Sequence, residues 1–236
     1  DEPIDIRGPA DVRRVSQQLE WLRLRLTELD ADKARFLRHV SHELKTPLAA
    51  LREGVSLLED GVTGPLSPAQ LEVAQILNQN TVSLQGQIEA LLRFNAAAFE
   101  ARELRRERTE LLALIEEQVE SQRLQWQAHG LRVQVEGEPI TLTVDRTKLG
   151  TAIANLLSNA IRYSVRGGVI TIAVSGTPEA AHIDVNDAGP GIAEGDRDRI
   201  FEPFFRGERQ PEHAVKGTGI GLSIVQEYIA AHGGRI

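Results

Sequence analysis

The chain has 236 residues, 34 acidic against 27 basic side chains for a net charge of −7, only 4% aromatic residues, and no cysteine or methionine. That length holds one large or two ordinary domains, the scarcity of aromatics favours long helices over an all-β fold, and the negative balance excludes the basic face of a nucleic-acid binder. Disulfides and thiolate metal sites are excluded, and no run approaches the roughly 18–20 apolar residues of a membrane span or resembles a signal peptide.

Residues 3–11 are turn-like. From there apolar residues recur at Val12, Val15, Leu19, Leu22, Leu26 and Leu29, a heptad seam that predicts a parallel coiled coil with a second copy of the chain. The helix is expected to continue to about Asp60. At 100° per residue, Phe36, Val40, Leu44, Leu48, Leu51, Val55 and Leu58 share one stripe roughly 120° wide, while His42 and Thr46 fall on the other side. Pro47 cannot donate to the carbonyl of Glu43 and crowds that turn, so it reads as a tolerated kink or as a built-in bend.

Asp60-Gly61 and Gly64-Pro65 should end this helix. Ser67-Pro68-Ala69-Gln70 should open the next, with Ser67 as N-cap, Pro68 in the first turn and Gln70 completing a capping box. Val73, Leu77, Leu84, Ile88 and Leu91 line one side of it, and Asn80 interrupts the seam in a register-fixing position. Two such helices make an antiparallel hairpin, and two hairpins make a dimeric four-helix bundle.

Residues 101–108 are charged and lack a stripe, as a linker does. Beyond them the pattern predicts a helix over 110–129, β runs near 131–135 and 140–144, and a helix over 146–163. Strands at 169–174 and 181–186 and a last helix over 219–232 follow, which implies an α/β sandwich with one sheet covered by helices. The whole is thus α+β and multidomain: coiled coil over 1–30, helical hairpin over 31–100, linker over 101–108 and sandwich over 109–236. The missing initial Met reads as excision from a longer protein. Ile236 stands just where another strand would begin, so the C-terminal edge strand is expected to be truncated.

Four short motifs carry the chemistry. In Ser41-His42-Glu43-Leu44-Lys45-Thr46-Pro47, an outward imidazole with an ordinary pKa near ~6.5 is mostly neutral and nucleophilic at neutral pH. Glu43 is a carboxylate that can orient the ring or take its proton, although adjacent helical residues meet only through a reaching side chain. Thr46 lies one turn on, where its hydroxyl can position a water. In Asn155-Leu156-Leu157-Ser158-Asn159 two neutral amides share one helical face and suit magnesium, which takes its remaining ligands from waters and phosphates. Arg162 and Tyr163 follow, offering a phosphate contact and a ring to lie against a base.

The third motif, Asp187-Ala188-Gly189-Pro190-Gly191, sets a carboxylate at a strand end, where it can accept from an exocyclic amine, beside glycines that let backbone approach a ring. The fourth, Gly217-Thr218-Gly219-Ile220-Gly221-Leu222, turns into a helix N-terminus, a natural phosphate cradle.

In this order the motifs resemble the sensor histidine kinases of two-component signalling. Residues 36–48 resemble the H-box of the largest class, and 155–164 the N-box, with Arg162 where lysine is commoner. The two glycine motifs resemble the G1 and G2 boxes. Phe201, Phe204 and Phe205, with the polar run from Arg206 to Lys216, resemble the F-box and ATP lid; residues 3–11 are similar to the end of a HAMP linker.

The resemblance implies a phosphoacceptor hairpin followed by a Bergerat-type ATP-binding domain. It implies His42 as phosphoacceptor, Glu43 as assistant and Thr46 in dephosphorylation of the partner. ATP and Mg2+ would be held by Asn155, Asn159, Arg162, Tyr163, Asp187, Gly189, Gly191, Gly217, Thr218, Gly219, Gly221 and Leu222, with Asn155 and Asn159 nearest the metal. The implied partners are a second copy of the chain and the receiver domain of a response regulator, with no nucleic acid. The implied location is the cytoplasmic part of a bacterial inner-membrane protein, joined to the membrane only through segments N-terminal to this sequence. Two rivals stay open at this point. One is an ATPase of the gyrase, Hsp90 and MutL superfamily, which typically has glutamate where Asn155 stands; the other is a dimeric scaffold lacking kinase activity or biased toward phosphatase action.

Overall fold

The computed structural model describes residues 10–62, 64–101, 103–177, 179–209 and 217–236; for 10–13, 30, 31, 34, 38, 41 and 42 it describes the backbone alone. The HAMP-like reading rests on residues before Ala10 and so lies outside the described residues. The chain divides into two compact units, Asp1–Phe99 and Glu100–Ile236.

The first unit is a helical hairpin. Its first helix, α1 (Ala10–Glu59), runs unbroken through Pro47. Gly61 and Gly64, at φ +71° and +112°, turn the chain where an L side chain would be strained. The second helix, α2 (Pro68–Glu100), opens on the expected capping box: the Ser67 amide donates to Gln70 Oε1 at 2.8 Å, and the Gln70 amide to Ser67 Oγ at 3.4 Å. Asn78 Nδ2 donates to Glu59 Oε2 at 2.8 Å and ties the two helices near the turn. Leu48, Val55, Ala74, Ala90 and Ala97 are buried within the hairpin. Leu44, Leu51 and Leu58 on α1 and Leu77, Leu84 and Leu91 on α2, each set seven residues apart, stay exposed. Asn80 is exposed as well and donates to the Ile76 carbonyl of its own helix at 2.8 Å.

Among the described residues the second unit has two small sheets rather than the one expected. Strand β1 (Glu107–Glu110) pairs antiparallel with β3 (Thr141–Val144), whereas β4 (Val169–Gly176) is central between parallel β2 (Arg132–Gly137) and antiparallel β5 (Ala181–Asn186). Residues 107 and 108, read as linker, open β1. Glu-Arg-Thr-Glu has no apolar alternation, and pairing with β3 together with burial of Thr109, 2% exposed, makes it a strand.

The helix expected over 110–129 is instead α3 (Leu111–Ser121) and α4 (Arg123–Ala128). Gln122 interrupts it at φ −104°, ψ 13°, and its buried side-chain amide donates to the Ala154 carbonyl at 2.9 Å. That long-range bond is a tertiary contact that local periodicity does not contain.

One face of β4, formed by Ile170, Ile172 and Val174, packs in a single core with Leu111, Leu114 and Ile115 of α3. Leu149, Ile153, Leu157 and Ile161 of α5 (Arg146–Tyr163) complete that core. Helix α6 (Gly221–Ala231) packs on α5, burying Ile224, Val225 and Tyr228.

Asp145 caps α5. Its Oδ1 accepts from the Lys148 amide at 3.0 Å, and its Oδ2 accepts from Lys148 Nζ at 2.8 Å and from the Arg105 amide at 2.9 Å. Burial alone would push the carboxyl up, but the Lys148 ammonium and the two amides outweigh it and bring the pKa from 3.8 down to about 2. A depressed folded-state pKa contributes stability above the unfolded value, lost as pH falls through the folded one. Asp145→Asn is therefore expected to cost about 1–2 kcal/mol at pH 7 and to flatten the stability profile between about pH 4 and pH 2, measured by urea unfolding across that range.

Candidate functional site

Helix α5 turns its apolar face into the core, and this leaves Asn155, Asn159 and Arg162 together on the other face, all half-buried. Asn155 Nδ2 donates to the Thr151 carbonyl at 2.9 Å. That bond uses a donor and leaves Oδ1 pointing toward Gly221, where a Cβ would come within 3.2 Å of it. One turn or two further along α5, the Arg162 guanidinium lies on Gly217 so closely that a Cβ there would sit 1.6 Å from Nη1. The glycine motif before α6 is thus pressed against the polar face of α5, and Thr218 of the motif and Leu222 in the first turn of α6 are half-buried.

The loop after β5 approaches the same helix. Asp187 is exposed, and its Oδ1 accepts from the Gly189 amide at 2.7 Å. Gly189 lies against the Tyr163 carbonyl, which a Cβ would meet at 2.7 Å, and Gly191 adopts φ +67°. The Asx turn engages one carboxylate oxygen, and the other is available as an acceptor.

Two chain segments cross at Gly219. It sits at φ +74°, its carbonyl accepts from the Phe204 amide at 2.8 Å, and a Cβ would lie 2.8 Å from backbone atoms of Phe204 and Phe205. Phe204 itself holds φ +65°, the one left-handed non-glycine residue among those described. Gly219→Ala combines a strained φ with a clash against backbone, which has nowhere to move. We expect it to lower the stability of the second unit by about 2–4 kcal/mol, read from the urea midpoint of a tryptophan-monitored transition.

Several contacts around the loops have no signature in the sequence. Arg209 Nη1 donates to the Pro190 carbonyl at 2.7 Å, the Glu208 amide donates to Asp196 Oδ2 at 3.0 Å, and the Arg199 guanidinium stacks on the Phe205 ring at 4.4 Å. They hold the loop around Phe205 and residues 208 and 209, near the start of the lid-like run from Arg206; residues 210–216 of that run lie outside the described residues.

The arrangement suits a magnesium nucleotide. A free amide oxygen on Asn155 is a hard-cation ligand, glycines without a Cβ let phosphates approach the backbone, Arg162 supplies positive charge, and Asp187 presents an acceptor. The structure brings Asn155 and Arg162 of α5 together with Gly217 and Gly221, and Tyr163 together with Gly189 and Asp187. Glu43 and Thr46 are exposed on α1 in the other unit, and the His42 side chain lies outside the described residues.

Comparison with known proteins is consistent with this division. Residues 32–98 match the family model "His Kinase A (phospho-acceptor) domain", and residues 144–236 match "Histidine kinase-, DNA gyrase B-, and HSP90-like ATPase". The chain is 41% identical to the sensor histidine kinase GlrK of Escherichia coli K12, over 96% of this chain and 47% of that protein. It therefore spans about half the length of the curated relatives it matches. Among solved structures, full-length ShkA in complex with AMPPNP superposes with a TM-score of 0.61 at 25% identity, covering 84% of this chain and 41% of that one. The Acinetobacter baumannii histidine kinase AdeS superposes with a TM-score of 0.55 at 25% identity, covering 80% and 86%.

Proposed function

Because the chain belongs to the two-component sensor histidine kinases, we propose that it is an ATP-dependent autophosphorylating kinase core whose phosphoryl group goes first to His42 and then to an aspartate on a response-regulator receiver domain. The observation that carries this reading is the seating of Asn155 and Arg162 against Gly221 and Gly217. It supports one compact place for phosphates and their metal within the second unit, whereas the histidine belongs to the first.

In the proposed reaction an imidazole nitrogen of His42 attacks the γ-phosphorus. A nitrogen–phosphorus bond forms, the bond to the β-phosphate oxygen breaks, and ADP departs with the electron pair. Glu43 takes the imidazole proton. Bound magnesium, held by Asn155 and Asn159, would neutralise charge on the phosphates. Arg162 and the amides of Gly217, Thr218 and Gly219 orient those phosphates, Leu222 closes the turn, and Gly221 starts the helix whose N-terminal end faces them. Asp187 reads the adenine amine, Gly189 and Gly191 let the ring approach, and Tyr163 packs against it. Thr46 positions water when the same protein dephosphorylates its regulator.

A homodimer follows from the leucine rows left exposed on α1 and α2, since two hairpins joined along them form a four-helix bundle. We assign 1–30 to the coiled coil and HAMP end, 31–100 to the hairpin, 101–108 to the linker and 109–236 to ATP binding. No helix among the described residues is long and apolar enough to cross a membrane; the reading places this portion in the cytoplasm, with anchoring through other parts of a longer sensor. Asn155 in place of glutamate leaves no base to activate water, which disfavours the gyrase-type ATPase alternative.

The test is incubation with Mg-ATP labelled at the γ-phosphate, followed by acid or alkali treatment and then by a chase into receiver domains. Acid-labile, alkali-stable label is the expected result. A chain that binds ATP and carries no label is not a kinase in this form.

A further inference from the structure

The second unit does not begin with a loose tether. Its first residues, those leaving α2, are held by three side chains from two distant stretches of sequence. Tyr228 Oη on α6 donates to Glu100 Oε2 at 3.2 Å, Lys148 Nζ donates to the Glu103 carbonyl at 2.7 Å, and Asp145 Oδ2 accepts the Arg105 amide.

These groups brace one another. The Asp145 amide donates to His232 Nε2 at 2.9 Å. That nitrogen must carry its lone pair, so the ring proton sits on Nδ1 and is donated to the Tyr228 carbonyl, 2.7 Å away. The Asp145 and Lys148 side chains are 5% and 12% exposed, which makes them a desolvated pair rather than a surface one. Such a network is not needed to cap α5, for which the Asp145 contact to the Lys148 amide suffices.

We propose that Asp145, Lys148, Tyr228 and His232 form a socket that docks residues 100–105 on the ATP-binding unit, and that this docking positions the nucleotide for transfer to His42. The proposal rests on the kinase reading above. Its physical basis is reach. Released, residues 101–106 add up to roughly 20 Å of extended chain, and slack beyond the needed span lowers the effective concentration of one tethered group at another. Nucleotide affinity should be indifferent to the socket, because Asn155 lies ten residues, about 15 Å, along α5 from Asp145.

Lys148→Met and Tyr228→Phe, with Lys148→Arg as the conservative control, test this in the whole chain. Three quantities are read: amide hydrogen exchange over residues 101–106, the dissociation constant of Mg-ATP, and the initial rate of label transfer to His42. In Lys148→Met we expect exchange at the Arg105 amide to accelerate and transfer to slow, each at least about fivefold, with the dissociation constant within a factor of about two. Tyr228→Phe should move the same two quantities in the same direction, and Lys148→Arg should restore both.

Unchanged exchange would show that the socket does not hold the segment and overturns the proposal. Faster exchange with an unchanged or raised transfer rate overturns the positioning role. A wild-type chain that takes no label removes the kinase reading, and the positioning role with it; exchange still reports whether the segment is docked.

Discussion

His42→Ala is expected to remove all acid-labile, alkali-stable label, a loss of at least about 10³-fold that reaches the detection limit, because it removes the proposed nucleophile. His39 is the nearest other imidazole in sequence. It lies three residues back on α1, so its ring leaves the helix about 60° around the axis from His42 and one turn away. It cannot occupy the same in-line position. Mg-ATP affinity should stay within a factor of about two, because all the phosphate-facing residues belong to the other unit. Transfer to a receiver domain should vanish in parallel. Label that persists in the variant would overturn the assignment of His42, whatever its chemical stability. The companion Glu43→Gln should slow transfer by about 10²-fold without abolishing it, since it removes a proton acceptor and leaves the nucleophile.

Asp187→Asn should weaken Mg-ATP binding by about 100-fold or more while leaving the thermal midpoint nearly unchanged. The two side chains have the same shape, and asparagine keeps an Oδ1 that accepts the Gly189 amide, so the turn after β5 survives. The other atom changes from an oxygen acceptor to an NH2 donor. Facing an exocyclic amine, two donors meet in a desolvated site, and the unpaired polar group costs about 2–3 kcal/mol. Titration with a fluorescent nucleotide measures it. Unchanged affinity would show that the aspartate only shapes the loop; a variant that instead loses its fold would show that the Gly189 contact requires the charge.

Much of the fold was legible because it is written in local periodicity. The helix at 146–163 was visible in its apolar face and the strand at 181–186 in its alternation, and Ser67 with Gln70 announced the start of α2. The candidate site was proposed for a different reason: glycines and paired asparagines are strange choices for a helix face or a turn unless something must approach closely. What stayed hidden depended on partners far away in sequence. Glu107–Glu110 has no β pattern and becomes a strand by pairing with Thr141–Val144. Gln122 looks like any helical glutamine and breaks its helix to reach the Ala154 carbonyl 32 residues on.

The sequence by itself predicted most of the elements, suggested a nucleotide chemistry for the motifs and marked the leucine rows, because each follows from spacing of side chains within one helix, strand or turn. Only the tertiary structure decided that Arg162 lies on Gly217, that Asn155 aims its oxygen at Gly221, and that Asp145, Lys148, Tyr228 and His232 meet around the segment leaving α2. Those contacts join residues up to 128 positions apart, as between Glu100 and Tyr228. Burial of the β4 face beneath α3 and α5, and of α6 on α5, brings them within hydrogen-bonding distance, and no local pattern encodes that approach.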